Sequence, residues 1–271
     1  MIDGNPVDGV VAQMRQRLDD LPDELAHRRI FLGTYLRTTQ AVGEAIKQAR
    51  FEDPAWVEEW DVKFAELYLQ AHDADLAGPP VRKMVGKDWV GRSEVGTGEE
   101  VRSSVVARPW RLAFDAPAEL PGLRHVLLGI NAHVNYDLPQ ALLAVISDDD
   151  FLDPLLMARR RRDHERIDGV LAERVRAEDD ELAASGPRSL VDQVLTPLNR
   201  LSSQRFLRES RQKVWHNTVE LQKARVHGNY GHRLAELELL SAAKIADLLR
   251  PGQVLLRLAL TGFGVTLPPP V

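Results

Sequence analysis

The chain has 271 residues, of which 44% are hydrophobic and 28% charged, with a formal net charge of −5 and no cysteine. Its length lies near the size at which single hydrophobic cores stop growing, so one large domain is expected, and the composition excludes extended disorder. The missing thiols exclude disulfides, thiolate metal centres and a cysteine nucleophile, leaving His, Asp and Glu as metal ligands, and the negative charge offers nucleic acid no global attraction.

From Pro22 to Arg50, apolar and charged residues alternate at helical spacing, with Asp23 and Glu24 in the first turn, which predicts a long helix. Asp53 is a good N-cap and Pro54 suits a first helical position, so a second helix is expected through Trp56, Trp60, Phe64, Leu67 and Tyr68. Residues 78–119 carry Pro79-Pro80, several glycines and Trp89 without a sustained period; this predicts an irregular excursion or lid, anchored at its end by Trp110 and Phe114. Further helices are predicted from about Leu156 to Ala184, from Leu190 to about Val226 with a bend near Pro197, and from Gly231 to Leu249. Residues 261–271 end in prolines and read as a loose tail. The fold class expected is therefore all-α, a single multi-helix domain. No run approaches the roughly 18 apolar residues of a membrane span, and Met1 to Asp8 lack a basic stretch followed by an apolar one. A cytoplasmic protein is expected, and Arg159 to Arg162, followed by Asp163 and Glu165, reads as a solvated helix face.

The segment Leu123 to Ile146 is the most unusual. Between Ile130 and Asp137 it alternates like a half-buried strand, yet Leu123, Val126, Leu127, Ile130, Val134, Leu138, Leu142 and Val145 form a stripe at steps of three and four. The helical reading explains more residues. On a helix Asn131 and Asn135 are one turn apart, as are His133 and Asp137, so two polar pairs border the apolar stripe. A His and a carboxylate at this spacing suit joint metal binding, or proton transfer with the carboxylate orienting the imidazole. The structural alternative is a set of hydrogen-bonding core residues in a helix kinked at Pro139, with Asp137 helping to cap its continuation.

The run Asn131-Ala132-His133-Val134-Asn135-Tyr136-Asp137-Leu138 resembles the signature of an actinobacterial helical family of unknown function, in which an Asn-Ala-His-x-Asn-x-Asp-Leu segment recurs. The resemblance extends to Tyr35, Thr38 and Thr39, to Asp53-Pro54-Ala55-Trp56, to Asp61, Phe64 and Tyr68, and to Trp110, with a weaker echo at Asp163. It implies a helical fold and singles out Asn131, His133, Asn135 and Asp137 without implying a reaction.

Two other constellations compete. Asp149-Asp150-x-x-Asp153 matches the pattern by which class I isoprenoid enzymes hold magnesium against a diphosphate, although an acidic turn ahead of Pro154 explains it too. His72-Asp73 resembles the dyad of helical metal phosphohydrolases, which would recruit His27 and Asp137. The leading expectation is a helical enzyme of small-molecule metabolism, of lyase, cyclase or hydrolase type. His133 would be the acid or base and Asp137 its orienting partner, or the two would bind a divalent ion such as magnesium or zinc. Asn131 and Asn135 would then position a substrate oxygen, with Tyr35, Asp61, Tyr68 and Trp110 as pocket walls. The rivals are a terpene cyclase-like enzyme using Asp149, Asp150 and Asp153, and a non-catalytic ligand-binding or scaffold protein.

Overall fold

A computed structural model describes residues 5–78, 106–185, 204–252, 254, 258 and 261–270. All regular structure among the described residues is helical, and the helices pack into one compact domain. None of these helices is long and apolar enough to cross a membrane.

Helix α1 (Pro6–Asp20) is absent from the sequence expectations. Asn5 caps it by accepting from the Val7 N–H at 2.8 Å, Pro6 opens it, and Val7, Val10, Val11 and Met14 are buried. Against α1 lie α2 (Arg28–Lys47) and α3 (Pro54–Ala77). The first predicted helix therefore begins six residues late, because Asp23–Leu25 close a separate 3₁₀ turn. Helix α3 starts where expected, with the Asp53 carboxylate accepting from Trp56 N–H at 3.2 Å.

Asp163, fully buried, holds the turn before α3 in place. Its two carboxylate oxygens accept from the Glu52 and Asp53 backbone N–H groups at 2.8 and 2.7 Å. The predicted excursion contains α4 (Arg108–Phe114), which buries Trp110 and Phe114; residues 79–105 lie outside the described residues.

At the centre run α5 (Gly122–Ala132), a five-residue π turn (His133–Asp137) and α6 (Leu138–Val145). The Leu138 N–H reaches back five residues to the His133 carbonyl. A proline inside an α-helix clashes with the carbonyl four residues earlier, and the wider turn relieves Pro139 of that clash. Helices α2, α3, α4, α8 (Gln204–Val226) and α9 (Tyr230–Leu249) surround this central element. It is therefore buried on nearly every side, and the predicted stripe residues Leu123, Ile130, Val134 and Val145 are only half-buried.

The long α7 (Pro154–Ser185) packs on α2, α3 and α8. Its four arginines are ion-paired instead of simply solvated: Arg159 with Asp53, Arg160 with Asp150, Arg161 with Glu165 and Arg162 with Glu52. The predicted start of α8 near Leu190 and its bend at Pro197 lie outside the described residues. The C-terminal stretch 261–270 is held down, contrary to the expected loose tail. Phe263 and Leu267 are buried, and Leu267 N–H donates to Asn217 Oδ1 at 2.9 Å.

Candidate functional site

The π turn presents the two polar pairs to different surroundings. His133 Nδ1 lies 2.9 Å from Asp137 Oδ2, and the Trp110 indole N–H donates to the same oxygen at 2.7 Å. Both acidic and basic partners are almost fully buried, at 3% exposure each.

The imidazole sits in an aromatic box. It stacks on Phe64 with centroids 3.5 Å apart and planes 5° from parallel, and Tyr35 meets it edge-on at 4.4 Å. Tyr68 at 5.9 Å, Trp110 at 5.7 Å and Phe31 at 6.4 Å complete the box. Its Nε2 has no hydrogen-bonding partner among the described residues.

Burial in this box penalises charge. It pulls His133 well below the ordinary imidazole range and pushes the Asp137 carboxyl well above the ordinary carboxyl range, against the opposing Trp110 hydrogen bond. Burial thus disfavours the ion pair and favours the uncharged form, in which Asp137 and Nδ1 share one proton.

The two asparagines have another occupation. Asn131 donates to the Leu127 carbonyl at 2.8 Å and accepts from Asn135 Nδ2 at 3.0 Å. Asn135 in turn donates to the Phe263 carbonyl at 3.2 Å and accepts from Val265 N–H at 3.2 Å. Those bonds engage both ends of both amides, so the pair ties the C-terminal stretch to the central helix rather than offering a substrate oxygen a partner.

Asp61 lies one turn before Phe64 on α3, also buried, and its Oδ2 has no partner among the described residues. Desolvation pushes its carboxyl up to about 7, moderated by the charge of Arg211. Tyr35, Tyr68 and Trp110 pack around His133, and Asp61 is a buried acid whose charge reaches Tyr35; of these four expected pocket walls, only Trp110 lines the groove described next.

Beside the Asp137 end of this cluster is an open groove of about 560 Å³ between α3, α4 and the central helix. Asp137 and Trp110 form part of its wall together with Leu67, Gln70, Tyr136 and Gln140, whereas His133 stands behind Asp137. Gln70 and Gln140 carry no motif, and only their spacing from Leu67 and Asp137 on their own helices could have indicated them.

The competing constellations are used elsewhere. Asp150 accepts from Ser147 N–H at 2.9 Å and from Arg160 at 2.7 Å, while Asp153 caps α7 by accepting from Leu155 and Leu156 N–H. Asp149 begins the 3₁₀ turn between them. Asp73 takes a bidentate pair from Arg17 at 2.8 and 2.6 Å, and His27 meets His125 at a tilt with centroids 5.0 Å apart instead of joining His72. Among the described residues no group of three or more His, Asp and Glu side chains is arranged to hold a metal ion.

Comparison with curated proteins and with solved structures gives no significant match. The model of a family of unknown function, DUF5995, matches residues 7–84 and 97–251, which includes the whole π turn and the helices from α1, less its first residue, through α9. On that coverage the chain belongs to the DUF5995 family.

Proposed function

We propose that this protein is a helical enzyme of small-molecule metabolism, of lyase, cyclase or hydrolase type, using Asp137 and His133 for acid–base chemistry on a ligand held in the α3–α4 groove. The observation that carries this reading is a buried carboxyl, raised above its ordinary range, that forms the groove wall while a histidine contacts it from behind. Asp137 is the member of the pair that meets the ligand, and His133 is its proton partner.

The pair holds one transferable proton. When that proton moves to His133 Nδ1, Asp137 becomes a carboxylate that can take a proton from the bound molecule. Having taken that proton, Asp137 is again an acid that can deliver it to another atom of the bound molecule, after which the Nδ1 proton returns to the carboxylate. A carboxyl held above its ordinary range and in contact with an imidazole is suited to both steps. The Trp110 N–H, fixed at 2.7 Å, stabilises the carboxylate form without itself titrating.

The test is turnover of a small-molecule extract followed by mass spectrometry, comparing wild type with the near-isosteric Asp137→Asn and with His133→Gln. Both variants are to be checked for folding by near-ultraviolet circular dichroism. Conversion by wild type that disappears in folded Asp137→Asn is the expected result. Equal conversion by wild type and both folded variants would remove the proposal. Elemental analysis of the same samples addresses the metal-assisted version: a stoichiometric metal lost with Asp137→Asn would replace the acid–base account.

A further inference from the structure

The walls of the α3–α4 groove identify the kind of molecule it takes, an inference that rests on the groove being the ligand site. Its apolar surface comes from Leu67 and Ala71 of α3 and from Val106 ahead of α4. Two amides, Gln70 and Gln140, and two carboxyl groups, Asp73 and Asp137, supply its polarity. No lysine, arginine or histidine is among the described wall residues.

The nearby cations stand outside the wall and have partners of their own, Arg111 donating to the Val106 carbonyl at 3.0 Å. Arg17 is held on Asp73 by the bidentate pair at 2.8 and 2.6 Å, and Arg108 lies 4.0 Å from Glu238. Glu238 adds negative potential near Tyr136, reinforcing the burial that pushes the Tyr136 phenol up. An anion entering this groove would give up hydration, find no cation among the described wall residues, and meet Asp137 at its inner end. The Asp137 carboxyl, whose charged form burial disfavours, and the Gln140 amide present hydrogen-bonding groups instead.

We infer that the groove binds an uncharged small molecule with an apolar body and hydrogen-bonding groups, and that it discriminates against phosphate esters and carboxylates. A substrate of this class can be rearranged or cleaved by moving protons alone, which is the chemistry proposed for Asp137 and His133.

Benzamide and benzoate provide a near-isosteric pair that differs in charge. Their binding is read from the Trp110 indole N–H signal in a nitrogen-edited NMR spectrum, assigned by its loss in Trp110→Phe. The expected result is saturable movement of that signal by benzamide, with benzoate at least tenfold weaker. Placing a cation on the exposed wall with Gln70→Lys should bring benzoate to the affinity of benzamide or better. Benzoate binding as tightly as benzamide to the wild type would overturn the inference, as would a Trp110 signal that neither probe moves. His133→Gln separates this from the catalytic reading. Unchanged probe binding with unchanged turnover in that variant refutes the acid–base role and leaves the ligand class standing; lost turnover with equal benzamide and benzoate affinities does the reverse.

Discussion

Replacing Gly129 with alanine tests whether the aromatic box is as tightly determined as its geometry indicates. A Cβ at this position would lie 2.3, 2.4 and 2.7 Å from Cδ2, Cγ and Cε2 of the Phe31 ring, where ordinary contact requires about 3.5–4.0 Å. The ring must retreat by about an ångström or more, yet it is packed edge-on to Tyr68 at 5.3 Å and lies 5.7 Å from Trp110. In an open helix interior, glycine to alanine stabilises by about 1 kcal/mol, while overpacking a core costs about 1–3 kcal/mol and sometimes more. With a rigid ring as the obstacle the second effect wins, and a net loss of about 2 kcal/mol is expected. Gly169, on α7, is the control: a methyl added there would meet nothing within 4 Å, so its alanine variant should gain about 0.5–1 kcal/mol. Urea denaturation followed by tryptophan fluorescence measures both. In a Phe31→Ala background the obstruction is gone, so Gly129→Ala should there become neutral or stabilising, a coupling of about 2 kcal/mol or more. If Gly129→Ala proves as stable as the wild type, or if the double mutant shows no coupling, the close approach of α2 and α5 at this glycine is wrong.

Asp61, with its carboxyl raised from the ordinary 3.8 to about 7, binds a proton in the folded state that the unfolded chain releases, so its contribution to stability is lost as pH rises from about 4 to 7. Asp61→Asn should therefore match the wild type near pH 4 and exceed it at pH 8, by on the order of 4 kcal/mol at most, since each tenfold change in proton affinity is worth about 1.4 kcal/mol; parallel stability–pH curves for the two proteins would refute this. Asp163→Ala strands two backbone donors at the start of α3 and should cost about 2–4 kcal/mol in urea melts, with Asp163→Asn costing less because its amide oxygen still accepts one of them. Asn135→Ala cuts the bonds to Phe263 and Val265 and should speed amide exchange at Val265 by at least tenfold while leaving the Trp110 indole signal in place; unchanged exchange there would show that the C-terminal stretch is held by other contacts.

The helical class and most helix limits are legible in the sequence because each depends on local signals: Asp53-Pro54 as cap and first residue, Pro251-Gly252 after α9, and steps of three and four along α3. Helix α1 carries the same signals in Asn5-Pro6 and in Val7, Val10, Val11 and Met14, so a reading that starts its helices at Pro22 omits one that the same rules supply. The surroundings of the π turn are not readable in this way. A stripe of apolar residues identifies a buried face only when the opposite face meets water, and the central helix has no continuous face of that kind because five helices pack around it. Residues that a helical projection puts at the border of the stripe, including Asn131 and Asp137, are consequently in the core. The pairing of His133 with Asp137 follows from spacing alone. Their difference in position, with Asp137 at the groove and His133 behind it, depends on where α3 and α4 approach, which no local pattern encodes.

The π turn also explains why two polar pairs coexist within a few residues of one another. A buried polar group left without a partner costs about 1–3 kcal/mol, so a core helix tolerates four of them only if each is satisfied by a defined neighbour. For Asn131 and Asn135 the neighbours are one another and the backbone of the C-terminal stretch, an arrangement that fixes structure and leaves nothing to titrate. For His133 and Asp137 they are one another and Trp110, which leaves a movable proton between the pair and an Nε2 with no partner among the described residues. A purely structural pair would be improved by replacement with apolar side chains of similar volume, since burial works against both members. His133→Phe combined with Asp137→Leu relieves that penalty but strands the Trp110 N–H, so it is expected to keep the fold with a loss of no more than about 1–3 kcal/mol while abolishing turnover, whereas in a scaffold role the loss of function would follow the loss of stability.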